Sequence, residues 1–275
     1  MAVARPQTEN LNAFDVKKTA WQPEGLPDGA EIRVLNEDLE GGAISGLVHL
    51  PKGWRWEGPG VCNADLDLFV FEGVLRLGEN EIPSGGFSFF PAGVLQKGWE
   101  AVENCSLYLI LNDRPVFRNV PASLAGAAEE KAVPFIDTWD IDWTDPTAAS
   151  EPSNPLRKGI FVKIFRTDPE TGVSTYFAGM MPGWYQEGIE IHPVREESLV
   201  ISGDVNIATV NGGPGYTCRV GGFYSRPAGI PHGPISTKNG NVGIIHSTGL
   251  LGIDYQNEPK SKNMIFNHFL SHPWH

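Results

Sequence analysis

Glu190, His192, Glu196 and His232 are residue types that hold divalent metals, and their spacing allows them to meet. Glu190 and His192 are two residues apart, so on a β-strand both project from one face, which in a small barrel can be the interior. Glu196 lies beyond that strand and returns on the next. His232 follows the turn Pro227-Ala228-Gly229, which can bring a distant strand back to the same cavity. Two imidazoles with one or two carboxylates make a mixed nitrogen–oxygen site suited to Fe(II), Mn(II), Zn(II) or Ni(II). Glu190 has two readings, a ligand or a base held beside the metal. Glu187 and Glu197 are neighbours of this set, but Glu197 should point away from Glu196 on an alternating strand.

Other residues near this set could take part. His246 lies on the apolar run VGIIHS, which should pair near the strand bearing His232. It is either a hydrogen-bonded barrel histidine or an acid–base residue facing the metal. Tyr176, Tyr224 and Arg226 could line the same space. Glu190, His246 and Tyr224 are therefore the candidate catalytic groups. Arg226 could meet an anionic substrate, although a structural ion pair is the simpler role. The terminal HFLSHPWH holds three His without regular ligand spacing and reads as a strap or dimer contact.

The elements that must position these groups are visible as a duplication. At an offset of 130, Asp38, Glu40 and Gly42 fall on Asp168, Glu170 and Gly172, Gly53-Trp54 falls on Gly183-Trp184, and Gly73 falls on Gly203. A six-residue slip, most easily placed in NGGPGYT, then brings Gly85, Pro91 and Gly93 onto Gly221, Pro227 and Gly229. Gly and Pro recur where the same turns recur. Each half is a series of short β-rich runs: GIFVKIF, STYFAGM, SLVISG and VGIIHS in the second, and EIRVL, AISGLVHL, LDLFVFEG, FSFF and SLYLILN in the first. Turn sequences such as DPETG and KNGN separate them. The segment from about 114 to 158 joins the halves, with room for one short helix near 122–132. The boundary is placed near 125, giving domains 1–125 and 126–275.

In the first half, the positions of Glu190, His192, Glu196 and His232 are held by Gly60, Cys62, Leu66 and Gln96. Gly and Leu cannot ligate, so this half reads as a degenerate partner. Asp65 and Asp67 flank Leu66, and only a one-residue bulge would bring a carboxylate back. His49 is the only His there and reads as a strand-surface residue.

The chain of 275 residues is acidic, with 21 basic and 33 acidic side chains and a formal charge of −12. Such a surface repels phosphate backbones and anionic lipids, which argues against nucleic acid and membrane as partners. Three cysteines, far apart and without a CxxC pair, argue against a disulfide framework and a zinc–thiolate site. The first residues, MAVARPQTENLNAF, have no apolar signal region, so the expected compartment is the cytoplasm.

Residues 183–203 and 221–236 resemble the two motifs of the cupin superfamily. Glu190-Ile191-His192, Glu196 and Gly203 stand at the positions of its first motif, and Gly221, Pro227, Gly229 and His232 at those of its second. Departures are Glu190 where the family usually has a His, and Ser236 where it has an Asn. The resemblance covers most of both halves and implies an all-β bicupin of two tandem jelly-roll barrels. It also implies one divalent metal per chain, bound by Glu190, His192, Glu196 and His232. A second carboxylate makes that site more negative than the usual three-His, one-Glu set and favours Fe(II) or Mn(II), with Zn(II) or Ni(II) as alternatives. GWYQEG and RPAGIPHGP are similar to bicupins related to the cupin domain of the anti-sigma factor ChrR. That likeness implies an Fe(II)-type dioxygenase acting on a small carbonyl or phenolic compound. Non-redox alternatives are an aminohydrolase, isomerase, lyase or decarboxylase using Mn(II) or Zn(II); the ureidoglycine aminohydrolases share the Glu-x-His pair. A third alternative is a small-molecule-binding cupin without turnover. The expected partners are a small-molecule substrate and further copies of the chain, as a homodimer or larger assembly.

Overall fold

Runs rich in Val, Ile, Phe and Tyr, punctuated by Gly, Asn and Pro, fold here into antiparallel strands in both halves. The computed structural model describes residues 5–121, 123, 129–145, 159–208 and 215–256. Among these there is no α-helix. The segment expected to hold one shows a single 3-10 turn at Glu129–Lys131, and its residues 122 and 124–128 lie outside the described set, as do the His residues of the terminal HFLSHPWH.

The first unit faces one sheet against another. The larger runs in the order Val133–Asp137, Gly86–Phe90, Leu66–Glu72, Cys105–Leu111, Ile44–Leu50, Glu31–Glu37, Thr19–Ala20. The smaller runs Phe117–Asn119, Arg55–Cys62, Gln96–Ala101, Val74–Leu77, Asn80–Pro83. Alternate side chains of the two inner faces form one core, with Leu66, Leu68, Leu107 and Leu109 packed with Trp56, Leu75 and Trp99. This is the jelly-roll arrangement.

The second unit repeats it. Thr8–Asn12, Gly222–Arg226, Glu196–Ile207, Asn241–Ser247, Ser174–Met180 and Ile160–Thr167 lie side by side in that order. The far end of Glu196–Ile207 turns into the opposing layer, where it pairs with Tyr216–Arg219 and Ile235–Ser236. The turn is made at Gly203 (φ +75°), whose counterpart Gly73 (φ +84°) divides two strands in the first unit. A Cβ at either position would stand about 2 Å from a carbonyl, that of Gly240 (1.9 Å) or of Asn104 (2.1 Å), so only glycine fits. The Asp38 and Asp168 carboxylates close equivalent turns, each accepting two backbone N–H bonds, from Glu40 and Gly41 and from Glu170 and Thr171. The six extra residues fall between Ile207 and Tyr216.

The units part after Asp140 rather than near residue 125, and Gln7–Asn12 belongs with the second. Val133–Asp137 is held in the first unit by pairing with Gly86–Phe90, and Thr138 donates to the Gly85 carbonyl at 2.6 Å. Thr8–Asn12 takes the matching edge of the second unit, with Leu11 opposite Phe223 and Asn12 opposite Gly222. Pairing across such distances leaves no trace in local sequence.

Candidate metal centre

Backbone pairing sets the site. Glu190 and His232 form a reciprocal cross-strand pair, Glu190 N to His232 O at 2.8 Å and the reverse at 3.0 Å. The turn before His232 is pinned by Gly229 N donating to His192 O at 2.9 Å. The first unit keeps the same frame, with Gln96 opposite Gly60 and Gly93 N on Cys62 O. Glu196 opens the long strand and lies opposite Ser247 and Arg226.

All four side chains are buried. Each imidazole places its Nδ1 on a backbone carbonyl, His192 on Gly252 at 2.8 Å and His232 on Ile230 at 3.2 Å. An N–H at Nδ1 leaves the Nε2 lone pair free, and both Nε2 atoms turn toward the carboxylates. Glu190 Oε2 stands 3.7 Å from His192 Nε2 and 3.5 Å from His232 Nε2. Glu196 Oε2 stands 3.9 Å from each. It is fully buried and accepts no hydrogen bond. A buried carboxylate oxygen without a hydrogen bond is costly unless a cation satisfies it, and Arg226 Nη1, at 3.5 Å and itself without a hydrogen bond, does so only in part. Bonds of about 2.0–2.2 Å from one ion put neighbouring donor atoms roughly 3–4 Å apart, so the residues present fit a divalent metal. Glu190, His192 and His232 can hold the ion. Glu196 Oε2 is near both imidazoles but stands outside that group of three.

The surrounding contacts orient these groups. Gln186 donates to Glu190 Oε1, which Tyr255 approaches at 3.5 Å, so Oε2 is the oxygen left facing the imidazoles. Burial raises the Glu190 pKa, but the His232 and His192 rings, when protonated at Nε2 as well, together with Gln186 outweigh it and hold the carboxyl below its usual range. Arg226 forms a bidentate pair with Glu9 (2.8 and 2.9 Å), donates to the Tyr216 hydroxyl at 2.7 Å, and presents Nη1 to Glu196 Oε2 at 3.5 Å. It is thus the structural ion pair rather than an open anion receptor. Its guanidinium also lies 4.0 Å from the Tyr224 ring. Gln186, Glu9 and Tyr255 escaped the sequence reading. Gln186 had a weak signal, an even spacing of four residues from Glu190, although the two stand on separate short strands, Tyr185–Gln186 and Glu190–Ile191. Glu9 is 217 residues from Arg226 and had none.

A cavity of about 390 Å³ opens over the site, lined by Glu190, His192, Glu196, His232, Tyr176 and Tyr224 among others. His246 is not part of it. Its neighbour Ile245 lines the cavity, and alternation turns His246 to the other face, opposite Glu197 and Thr175. There its Nδ1 lies 3.1 Å from the Thr175 hydroxyl. Glu197 also points away from Glu196, but it is fully buried and accepts from Ser225 at 3.2 Å. Tyr224 faces the cavity; burial and the Glu196 charge push its pKa up, so it stays a phenol.

In the first unit an aromatic plug fills the corresponding space. Trp56, Trp99 and Phe117 pack edge to face at 5.3–6.2 Å between centroids. Their repeat counterparts are Gln186, Ile235 and Ile253, all lining the cavity of the second unit. A Cβ on Gly60 would lie 2.4 Å from the Trp56 ring, so the indole occupies the place a Glu would need. Cys62 and Leu66 are buried in that core, and the Trp99 indole N–H donates to Gln96 at 2.8 Å. His49 is half-buried on Ile44–Leu50, a strand paired on both sides.

Two tandem antiparallel barrels, one with a His- and carboxylate-lined site at its centre, define a bicupin. The chain belongs to the family described as domain of unknown function DUF4437, whose profile matches residues 9–253. No curated protein matches it in sequence. Among solved structures it is similar to a candidate dioxygenase from Nostoc punctiforme, with a TM-score of 0.73, 18% identity, and coverage of 94% of this chain and 84% of that one. It is also similar to oxalate decarboxylases. For that of Lactobacillus farciminis, solved with formate, the TM-score is 0.59 at 13% identity, covering 90% and 88%. For that of Bacillus subtilis, studied for its Mn(II) centers, it is 0.55 at 13%, covering 91% and 80%. At such identities the shared property is the fold. No helix among the described residues is long and apolar enough to cross a membrane.

Proposed function

We propose that the second unit holds one divalent metal on Glu190, His192, Glu196 and His232, and that the protein is a metal-dependent enzyme acting on a small organic substrate. The observation that carries this is the convergence of two Nε2 atoms with Glu190 Oε2 and the donorless Glu196 Oε2 at the floor of a cavity. A bound metal would supply Lewis acidity and, for Fe(II) or Mn(II), a centre for O₂ chemistry. The chain's own groups hold the geometry: Gln186 fixes Glu190, the carbonyls of Gly252 and Ile230 fix the rings, and Arg226 with Glu9 fixes Glu196. Both oxygens of Glu190 are engaged, which supports a ligand rather than a free base. Tyr224, kept protonated, offers a hydrogen bond into the cavity rather than accepting a proton.

The leading reaction is a dioxygenase on a carbonyl or phenolic compound. The candidate dioxygenase sharing this fold over 94% of the chain supports it, as does the likeness of GWYQEG and RPAGIPHGP to ChrR-type cupins. Two carboxylates in the ligand set, and oxalate decarboxylases among the similar structures, support a non-redox alternative such as a Mn(II) lyase or decarboxylase. Metal analysis of untagged protein followed by O₂ uptake separates the readings. His192→Ala and His232→Ala should each lose the metal while far-UV circular dichroism stays unchanged. Retention of the metal by both variants would refute the assignment. Turnover in the absence of O₂ would select the non-redox reading.

A further inference from the structure

We propose that the cavity of the second unit selects elongated, largely apolar molecules bearing one oxygen-donor head group and no more than one negative charge. The proposal deepens the metal-site reading and rests on it for the head group and the charge limit, not for the apolar selection. The cavity, at about 390 Å³, lies at the small end of the roughly 300–1,000 Å³ usual for small-molecule sites. Its lining is mostly apolar, with Thr167, Ser174, Tyr176, Gln186 and Tyr224 as polar members besides the four metal-binding side chains. Away from the four metal-binding side chains the walls are formed by residues such as Ile160, Val162, Ala178, Met180, Ile245 and Ile253. Ile164 and Leu250, both lining and both exposed, mark its opening as apolar too. Among the described residues, no Lys, Arg or Asp lines it.

Charge sets the second limit. A divalent ion is balanced by Glu190 and Glu196, and Arg226 beside Glu196 is balanced by Glu9. The floor is then neutral, so one anionic head group can bind the ion but a second carboxylate would be buried in a mostly apolar cavity without a cationic partner. Oxalate, named for the decarboxylases of similar fold, is a dianion with no apolar part and matches neither feature.

The test is calorimetric titration of the full chain, with and without Mn(II), using acetate, butanoate, hexanoate and octanoate, with oxalate and succinate alongside. Burial of each methylene should tighten binding about fourfold until the chain reaches the opening. Hexanoate should bind more tightly than either dicarboxylate. A flat series, or oxalate or succinate binding more tightly than hexanoate, would overturn the proposal. A fourfold chain-length slope with affinities that Mn(II) leaves unchanged would support the apolar selection while refuting the metal reading, so the two fail separately.

Discussion

Replacing Gln186 by Leu isolates the contact that aims Glu190. Gln186 is buried, and its amide donates to Glu190 Oε1, whose other neighbour is the Tyr255 hydroxyl at 3.5 Å. Because Glu190 is held ionised, this is a hydrogen bond to a charged acceptor, worth about 1.5–3 kcal/mol. Leu has nearly the same size, so the packing survives and the carboxylate loses its main restraint. Removing the partner of a metal ligand typically lowers affinity by about 10–100-fold, equivalent to about 1.4–2.7 kcal/mol. The two routes agree, and the expected result is a Mn(II) dissociation constant raised by that factor. Competition with a chromophoric chelator measures it, and far-UV circular dichroism with the thermal midpoint checks that the fold is kept. An affinity within a factor of two of the native protein, in a variant that remains folded, would show that Glu190 needs no orienting partner. The ligand reading of Glu190 would then lose its main support.

Three further outcomes follow from the structure. Full loading should reach one metal per chain by elemental analysis, since the aromatic plug closes the first unit; two equivalents, with the second lost in Cys62→Ser, would contradict this. Gly60→Ala should destabilise the first unit by about 1–3 kcal/mol through overpacking against Trp56, read from the denaturant midpoint of tryptophan fluorescence, and an unchanged midpoint would mean the indole moves aside freely. Burial raises the Asp204 pKa, but hydrogen bonds from Lys238 N, Asn239 and Thr237 lower it below the ordinary 3.8. Its stabilisation should therefore be complete above that value and lost as the pH falls through the lower folded one. Asp204→Asn should flatten the acid limb of the stability curve, and an unchanged limb would assign acid unfolding to other carboxylates.

Much of the site was legible because its residues sit on a repeat. Offsets of 130 and 136 aligned Gly60 with Glu190 and Gln96 with His232, and the same pairs face each other across strands in both units. Alternation placed Glu190 and His192 together and turned Glu197 away from Glu196. The same rule, applied without the register, left His246 open between two faces, and the structure gives it the hydrogen-bonded one. Its face depends on which residue of Glu196–Ile207 lies opposite, and a one-residue shift exchanges the faces. Glu197 points away but lies buried rather than on a surface, since burial depends on what packs over a face.

The sequence by itself determined the duplication, the turn positions, the all-β class and the Glu190, His192 and His232 group that could hold a metal. These follow from short-range causes: glycine where a Cβ would strike a carbonyl, Asp closing a turn, and side chains alternating along a strand. Only the tertiary structure decided the rest. It moved the division to Asp140, assigned Thr8–Asn12 to the second unit, and brought Glu9 onto Arg226. It also filled one barrel with Trp56, Trp99 and Phe117 where the other keeps a cavity. The reason is that strand pairing and core packing join residues far apart in the chain, and a polar or aromatic side chain acquires its role only from the neighbours that the fold brings to it.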